Sequence, residues 1–434
     1  MNIFLKKKIL IYGLGKSGLS AYNFLKNKNI VSIYDDYKSD LKSYNFKKKI
    51  LSYKEVLNDN FDQIIISPGI NINKCKLSKF LKKNFDKIYS DLDIFYEFYK
   101  NDCITITGTN GKSTTCKLLY EVLRAQNLDV KLVGNIGNPI LSERNIKKNT
   151  IFVIEASSYQ LDYSKNFKSK YAVILNLSHD HIERHKTLNN YIKAKFKLLK
   201  NQSKNNLAFL KKDDFLINRE LRSKKYKCKI IKVDSKRATK FLKKINNEYF
   251  KTDANKENLS FVLEILKRFK IRNDLIIKKI QNFKGLNYRQ QIIFRNDKLT
   301  IINDSKSTSF SSSISILKSK VKIYWLLGGI HKKNDIFDLP KRYFKNIEAF
   351  IYGGNKNFFV KKLKGKIRFN EFNNIENALK NAIKIIIEIK SFKQIILFSP
   401  CAASFDSFKN FEDRGAYFNK LIKKYFNGKQ KFII

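Results

Sequence analysis

No apolar run of about 18 residues or more occurs in this chain, so no membrane-spanning helix is expected. The basic N-terminus is followed by an apolar stretch that breaks at Gly13-Leu14-Gly15, with no small-residue cleavage site behind it, so a secretory signal is not expected either. The five cysteines (Cys75, Cys103, Cys116, Cys228 and Cys401) are odd in number and show no Cys-x-x-Cys spacing. They read as reduced thiols of a cytoplasmic protein. Proline is scarce, with 4 copies in 434 residues, and the linkers are short and rich in neither proline nor serine. Packed domains hinged around a shared cleft are therefore expected. No internal repeat stands out.

Acidic side chains are also few: 38 Asp and Glu stand against 88 Lys and Arg, a formal net charge of +50. Taken alone, such an excess suggests nucleic acid or an anionic surface as partner. Lysine runs through nearly every stretch, however, and the abundant Lys, Asn, Ile, Phe and Tyr all have AT-rich codons. Genome composition is the simpler account, and no specific nucleic-acid partner is expected. Attraction of anionic substrates, with weak and salt-sensitive nucleic-acid binding, would follow from the charge itself.

What the chain does have is concentrated between Ile104 and Thr115. A β-rich run opens into Thr107-Gly108-Thr109-Asn110-Gly111-Lys112-Ser113-Thr114, and the helix-like Cys116 to Leu123 follows. That order builds a phosphate cradle: turn N–H groups and a helix N-terminus face the anion, Lys112 supplies a point charge, and the Ser113 hydroxyl can reach Mg²⁺. The spacing is shorter than Gly-x-x-x-x-Gly-Lys-Ser/Thr, since Ile106 stands where the first glycine would be.

The length suggests two or three domains. Three nucleotide-type beginnings are visible. Lys8 to Tyr12 reads as a strand before Gly13-Leu14-Gly15-Lys16-Ser17-Gly18, and Asp35 ends a second strand about 20 residues later. Phe61 to Gly69 is another strand with Ser67-Pro68-Gly69 at its C-terminal edge. Further strands are read at Ile151–Glu155 and Tyr171–Asn176, and a third unit from about Gly285 carries Leu299–Asp304, Lys322–Gly329 and Gln394–Pro400. Strands alternating with helical stretches argue for an α/β fold with largely parallel sheets.

Candidate ligands sit at strand ends. Glu155 precedes Ala156-Ser157-Ser158-Tyr159-Gln160 and reads either as the cap of the next helix or, beside the cradle, as a Mg²⁺ ligand. Three of the 4 histidines fall in His179-Asp180-His181-Ile182-Glu183-Arg184-His185, directly after a strand. Next to a bound triphosphate these residues suit metal coordination and substrate positioning, and zinc is the weaker reading because no cysteine is near.

The cradle, Gly134-Asn135-Ile136-Gly137, Glu155 to Leu161 and Asn176 to His181 together resemble the Mur ligase family, the ATP-dependent amino-acid ligases of peptidoglycan precursor assembly. Two C-terminal motifs, Ile302-Asn303-Asp304-Ser305-Lys306-Ser307-Thr308 and Ser399 to Gly415, resemble the D-glutamate-adding branch. The resemblance covers nearly the whole chain. It implies three domains: a Rossmann-like domain for the UDP substrate over 1–91, a central P-loop ATPase domain over 92–285, and a Rossmann-like amino-acid domain over 286–434. It also implies ligation of D-glutamate to UDP-N-acetylmuramoyl-L-alanine through an acyl phosphate and a tetrahedral intermediate, by a cytoplasmic monomer. A dinucleotide reading of Gly13 to Asp35, for an NAD-dependent oxidoreductase, would leave the cradle, Glu155 and the histidines idle. A folate-type ligase would leave the first domain and Ser399 to Ser404 unexplained.

The resemblance carries residue roles as well. ATP would be held by Gly108, Thr109, Asn110, Gly111, Lys112, Ser113, Thr114, Asn258, Arg289 and Asp304. Two Mg²⁺ ions, or Mn²⁺, would be held by Ser113, Glu155, His181 and Lys195, the last as a carbamate. Gly15, Lys16, Ser17, Asp35, Ser67, Pro68, Gly69, Asn135 and His181 would hold the UDP substrate. Lys306, Thr308, Lys332, Ser404 and Phe411 would receive D-glutamate, with Lys112, His181, Lys195 and Lys306 at the chemistry. Family members often carry His where Ala254 and Tyr288 stand, a departure that bears on adenine stacking.

Overall fold

The computed structural model describes residues 2–37, 50–332, 335–388 and 393–426. Three sheets organise the described residues. The first contains β1 (Lys8–Tyr12), β2 (Ile30–Tyr34), β3 (Gln63–Ile66) and β4 (Ile88–Tyr89), in the order β2-β1-β3-β4. The second contains β5 (Cys103–Thr107), β6 (Val130–Gly134), β7 (Ile151–Glu155), β8 (Tyr171–Ile174), β9 (Leu207–Lys211) and β10 (Lys229–Val233), in the order β10-β9-β8-β5-β7-β6. Every pairing in these two sheets is parallel. The third contains β11 (Gln291–Arg295), β12 (Leu299–Asn303), β13 (Lys322–Gly328), β14 (Ile347–Tyr352), β15 (Arg368–Phe372) and β16 (Gln394–Phe398), in the order β11-β12-β16-β13-β14-β15. It is parallel except for its edge pair β11·β12. The expectation of a largely parallel α/β fold thus holds, with that one antiparallel edge.

Parallel strands covered on both faces need apolar side chains in succession. In β5, β7 and β8 every residue is buried. The third sheet shows the two-face alternation directly. Trp325, Leu327, Ala349 and Ile351 join one apolar cluster, while Tyr324, Leu326, Phe350 and Tyr352 join the cluster on the opposite face.

The chain forms two compact units. The first comprises Met1–Leu177, Arg184–Ala238 and Asn258–Lys279; the second comprises Ser178–Glu183, Thr239–Glu257 and Ile280–Ile434. The first two sheets share the first unit because their cores are continuous: Ile9, Ile11 and Ile65 belong to the same buried cluster as Phe95, Phe152, Ile154 and Ala172. The joint is also polar. Asp93, fully buried on the helix Asp91–Phe98, accepts hydrogen bonds at Oδ1 from the N–H groups of Lys165, Asn166 and Phe167 and from Ser164 Oγ. Neighbouring Asp91 accepts from the Gln160 amide at 3.2 Å to each oxygen, and burial pushes its carboxyl up to about 6.

Candidate active site

In the first unit the cradle lies where β5 ends. Gly111 adopts φ +84 as the N-cap of the helix Lys112–Arg124, and a Cβ there would stand 2.1 Å from Asn258 Oδ1. Only glycine fits both the left-handed backbone and the close approach. The N–H groups of Thr109 and Asn110 are tied back at 2.9 Å to the carbonyl and side-chain oxygens of Asn176, which fixes the turn. Lys112 Nζ donates to the carbonyls of Gly108 and Thr109, each at 2.8 Å, so the charge is held over the turn itself.

Two strand ends converge beside it. Ser113 Oγ donates to Glu155 Oε2 at 2.6 Å, and Asn135 Nδ2 donates to Glu155 Oε1 at 2.9 Å. Glu155 is buried, and it does not cap the helix Ser158–Tyr163. Ser157 does that, with Gln160 completing a capping box. The carboxylate is thus left to the cradle. A hydroxyl and a carboxylate so close together are hard oxygen donors of the kind Mg²⁺ takes, and they fit that ion as its protein-side ligands.

On the helix Leu188–Lys200, Tyr191 and Lys195 sit four residues apart on the face turned to the cradle. Tyr191 Oη lies 3.1 Å from Thr109 Oγ1. Lys195, 2% exposed, donates to Gly108 O at 2.8 Å and Thr107 Oγ1 at 3.3 Å, and its ammonium is 4.7 Å above the Tyr191 ring. Among 434 residues so rich in lysine, no signal in the sequence distinguishes Lys195; its burial does. Asn176, though inside a motif read above, has no role assigned from sequence, and neither has Tyr191.

The Gly13–Gly18 turn lies at the C-terminal edge of the first sheet. Leu14 N–H donates to Asp35 Oδ2 at 2.7 Å, and Ser67 Oγ donates to the Gly13 carbonyl at 2.6 Å. A Cβ at Gly18 would fall 1.8 Å from that same carbonyl, so the close turn requires glycine there. Gly15 caps the helix Lys16–Leu25, and beyond Gly15 and Gly69 a side chain would meet open space. Asn135, assigned to the UDP substrate above, stands on the Glu155 carboxylate.

The second unit gathers another set. Arg289 and Lys306 lie over the Phe411 ring, at 5.9 and 4.0 Å. Asp304 is buried, accepts from Gln290 N–H at 3.1 Å and Ser399 Oγ at 2.8 Å, and burial pushes its carboxyl up to about 7. Ser404 is buried on the neighbouring turn, and Thr308 is half-buried. Arg414, overlooked from sequence beyond its place in the motif, ties both turns together. Its guanidinium donates to Ser305 O at 2.7 Å and Ala402 O at 2.9 Å. In the same unit Lys332 Nζ donates to Asp180 Oδ1 at 2.5 Å. His181, at φ +55, lies between Asp180 (3.4 Å) and Glu183 (3.5 Å), and its ring holds the Glu183 carboxyl below the usual range.

A lysine-bearing phosphate turn with a hydroxyl–carboxylate pair beside it, on a three-sheet α/β frame, defines a nucleoside-triphosphate-using enzyme. Residues 106–277 match the Mur ligase middle domain, and residues 7–88 match the MurD-like N-terminal domain of Mur ligases. The chain belongs to the Mur ligase family. Similar proteins include the UDP-N-acetylmuramoylalanine–D-glutamate ligases of Rickettsia felis, 34% identical with 98% of this chain and 99% of that one covered, and of Buchnera aphidicola, 35% identical with 96% and 98% covered. The fold resembles that of the Thermotoga maritima MurF ligase solved with ADP (TM-score 0.56, 14% identity, 98% and 99% of the two chains covered). The T. maritima UDP-N-acetylmuramate-alanine ligase MurC gives a TM-score of 0.53 at 15% identity, with 98% and 100% covered.

Proposed function

We propose that this protein joins D-glutamate to UDP-N-acetylmuramoyl-L-alanine at the expense of ATP, giving the dipeptidyl product, ADP and phosphate. The observation that carries this reading is the Ser113–Glu155 pair at 2.6 Å beside the Lys112 turn, in a chain whose relatives at 34–35% identity bear that ligase name over nearly their full length. The substrate carboxylate attacks the γ-phosphorus and ADP leaves. The amine of D-glutamate then adds to the acyl carbon of the acyl phosphate, and phosphate departs as the tetrahedral intermediate collapses.

Transfer between two anions needs alignment and charge neutralisation more than covalent help. Lys112 and the N-terminus of its helix supply these to the triphosphate, on a turn whose Thr109 and Asn110 N–H groups are spent on Asn176, with Asn258, Arg289 and Asp304 holding the nucleoside. Mg²⁺, when bound, neutralises phosphate charge, with Ser113, Glu155, His181 and a carbamylated Lys195 as ligands for two ions. The UDP substrate is assigned to Gly15, Lys16, Ser17, Asp35, Ser67, Pro68, Gly69, Asn135 and His181, and D-glutamate to Lys306, Thr308, Lys332, Ser404 and Phe411. Two carboxylates on that amino acid account for the lysines and hydroxyls of the set. We place the domains at 1–91, 92–285 and 286–434, and the enzyme in the cytoplasm as a monomer.

Isotope transfer tests the first step. Oxygen-18 in the substrate carboxylate should appear in the released phosphate, one atom per turnover; unlabelled phosphate alongside normal product would rule out the acyl phosphate.

A further inference from the structure

In the first unit, the turn Pro68-Gly69-Ile70 turns three backbone carbonyls toward one side chain. Arg184 Nη2 donates to Pro68 O at 3.3 Å and to Ile70 O, and Nη1 donates to Gly69 O at 3.4 Å. The same guanidinium donates to Tyr163 Oη at 2.6 Å and lies 4.8 Å from the Tyr159 ring centre. Tyr163 completes the joint. Its hydroxyl donates to Ile70 O at 3.0 Å and accepts from Ile72 N–H at 3.4 Å, while its ring is buried in the core of the first sheet.

A peptide plane that turns its carbonyl one way turns the following N–H the other way. With Pro68 O on the guanidinium, the Gly69 N–H therefore points away from Arg184, while the Ile70 N–H closes the turn on Ser67 O at 3.0 Å; a side chain at Gly69 would meet open space. The turn is anchored to the glycine-rich turn as well, since Ser67 bonds the Gly13 carbonyl. On the near side Arg184 reaches Tyr159 and Tyr163, both on the helix Ser158–Tyr163 that follows Glu155 within three residues, and His185 Nε2 lies 3.0 Å from Ser158 Oγ on that helix.

We propose that Arg184 is a positioning residue that presets the Pro68-Gly69-Ile70 turn to receive the diphosphate of a nucleotide-sugar substrate. This rests on the assignment of that turn to the UDP substrate in the proposed function. An arginine suits the task and a lysine does not, because a planar fork can hold several carbonyls at once whereas an ammonium is a point donor. The side chain holds the carbonyls of this turn, so on this proposal its effect is on the sugar nucleotide's affinity and not on the phosphates of ATP.

Calorimetric titration of the full-length enzyme with UDP-N-acetylmuramoyl-L-alanine, and separately with Mg²⁺-ATP, tests this. Arg184→Gln should weaken the sugar nucleotide about tenfold or more and leave ATP within twofold. Arg184→Lys should recover only part of the loss, and Tyr163→Phe, which keeps the packed ring, should weaken the same ligand several-fold. Unchanged sugar-nucleotide affinity in Arg184→Lys and Tyr163→Phe would overturn the proposal, as would equal losses for both ligands, which mark a merely structural residue. Wild-type enzyme that does not bind the sugar nucleotide would overturn the functional reading instead.

Discussion

The ammonium of Lys195 lies 2.8 Å from the carbonyl oxygen of Gly108, the residue that opens the phosphate turn. A lysine that is 2% exposed, with its ammonium on a carbonyl and a hydroxyl, is an expensive group to bury. The carbamate proposed above would replace this cation by an anion suited to a hard ion. Lys195→Ala should lose at least 100-fold in kcat, and millimolar acetate or propionate should restore part of it. Turnover that stays low across all small carboxylic acids would argue against the carbamate.

Lys112 bonds the Gly108 and Thr109 carbonyls, so its charge is held over the turn. Lys112→Ala should abolish ATP-dependent turnover, by 1,000-fold or more, because the developing phosphoryl charge loses its point cation. Binding of the UDP substrate, measured by calorimetry, should stay within a few-fold of wild type. Retained turnover would remove the cradle from the mechanism.

Asp304 gives a pH-dependent stability with a definite sign. Burial raises its carboxyl from 3.8 to about 7, so the folded state keeps a proton through that interval which the unfolded state has released. The associated stability is full below about pH 4 and is lost as pH rises through 7. Asp304→Asn has no such titration. Its Tm relative to wild type should climb between pH 4 and 7 and level off above, by several degrees in all. A gap between the two proteins that is flat across this range would contradict the assignment.

Asp93 closes a buried accounting of donors at the joint between the first two sheets. Replacing it with alanine strands four backbone N–H groups, those of Ser90, Lys165, Asn166 and Phe167, each worth about 1–3 kcal/mol when left unpaired and buried. Asp93→Ala should lower the stability of the first unit by roughly 3 kcal/mol or more, read by denaturant unfolding. A change below about 1 kcal/mol would mean that water replaces the carboxylate.

Much of this arrangement is legible in the sequence, for a physical reason. Strands such as β1 and β7 are apolar on both faces and end in a turn or a carboxylate, so Lys8–Tyr12 and Ile151–Glu155 are bounded by their own chemistry. The strands that went unread carry weaker signals. In β14 the run is broken by Glu348, which is buried and 3.5 Å from Lys322, so a strand buried throughout looks amphipathic. The edge strands β10 and β15 have at most one buried residue each, and their Lys and Arg blur the period.

The site divides in the same way. The cradle is local, and so Gly108 to Ser113 can be recognised by spacing alone. Its supports are not. Asn135, Asn176 and Tyr191 reach it from β6, β8 and a later helix, and only the folded chain brings their atoms within hydrogen-bonding distance. Arg184 and Arg414 were hidden for another reason: among 88 basic residues, one that holds backbone carbonyls looks no different from one in solvent.

The most direct test of the account is product formation with Mg²⁺-ATP and UDP-N-acetylmuramoyl-L-alanine, varying the amino acid across D-glutamate, L-glutamate, L-alanine, L-lysine and diaminopimelate. Turnover and ADP release with D-glutamate alone is the predicted result. Turnover with another of these amino acids would contradict the specificity assigned to Lys306, Thr308, Lys332, Ser404 and Phe411, and no turnover with any would contradict the function itself.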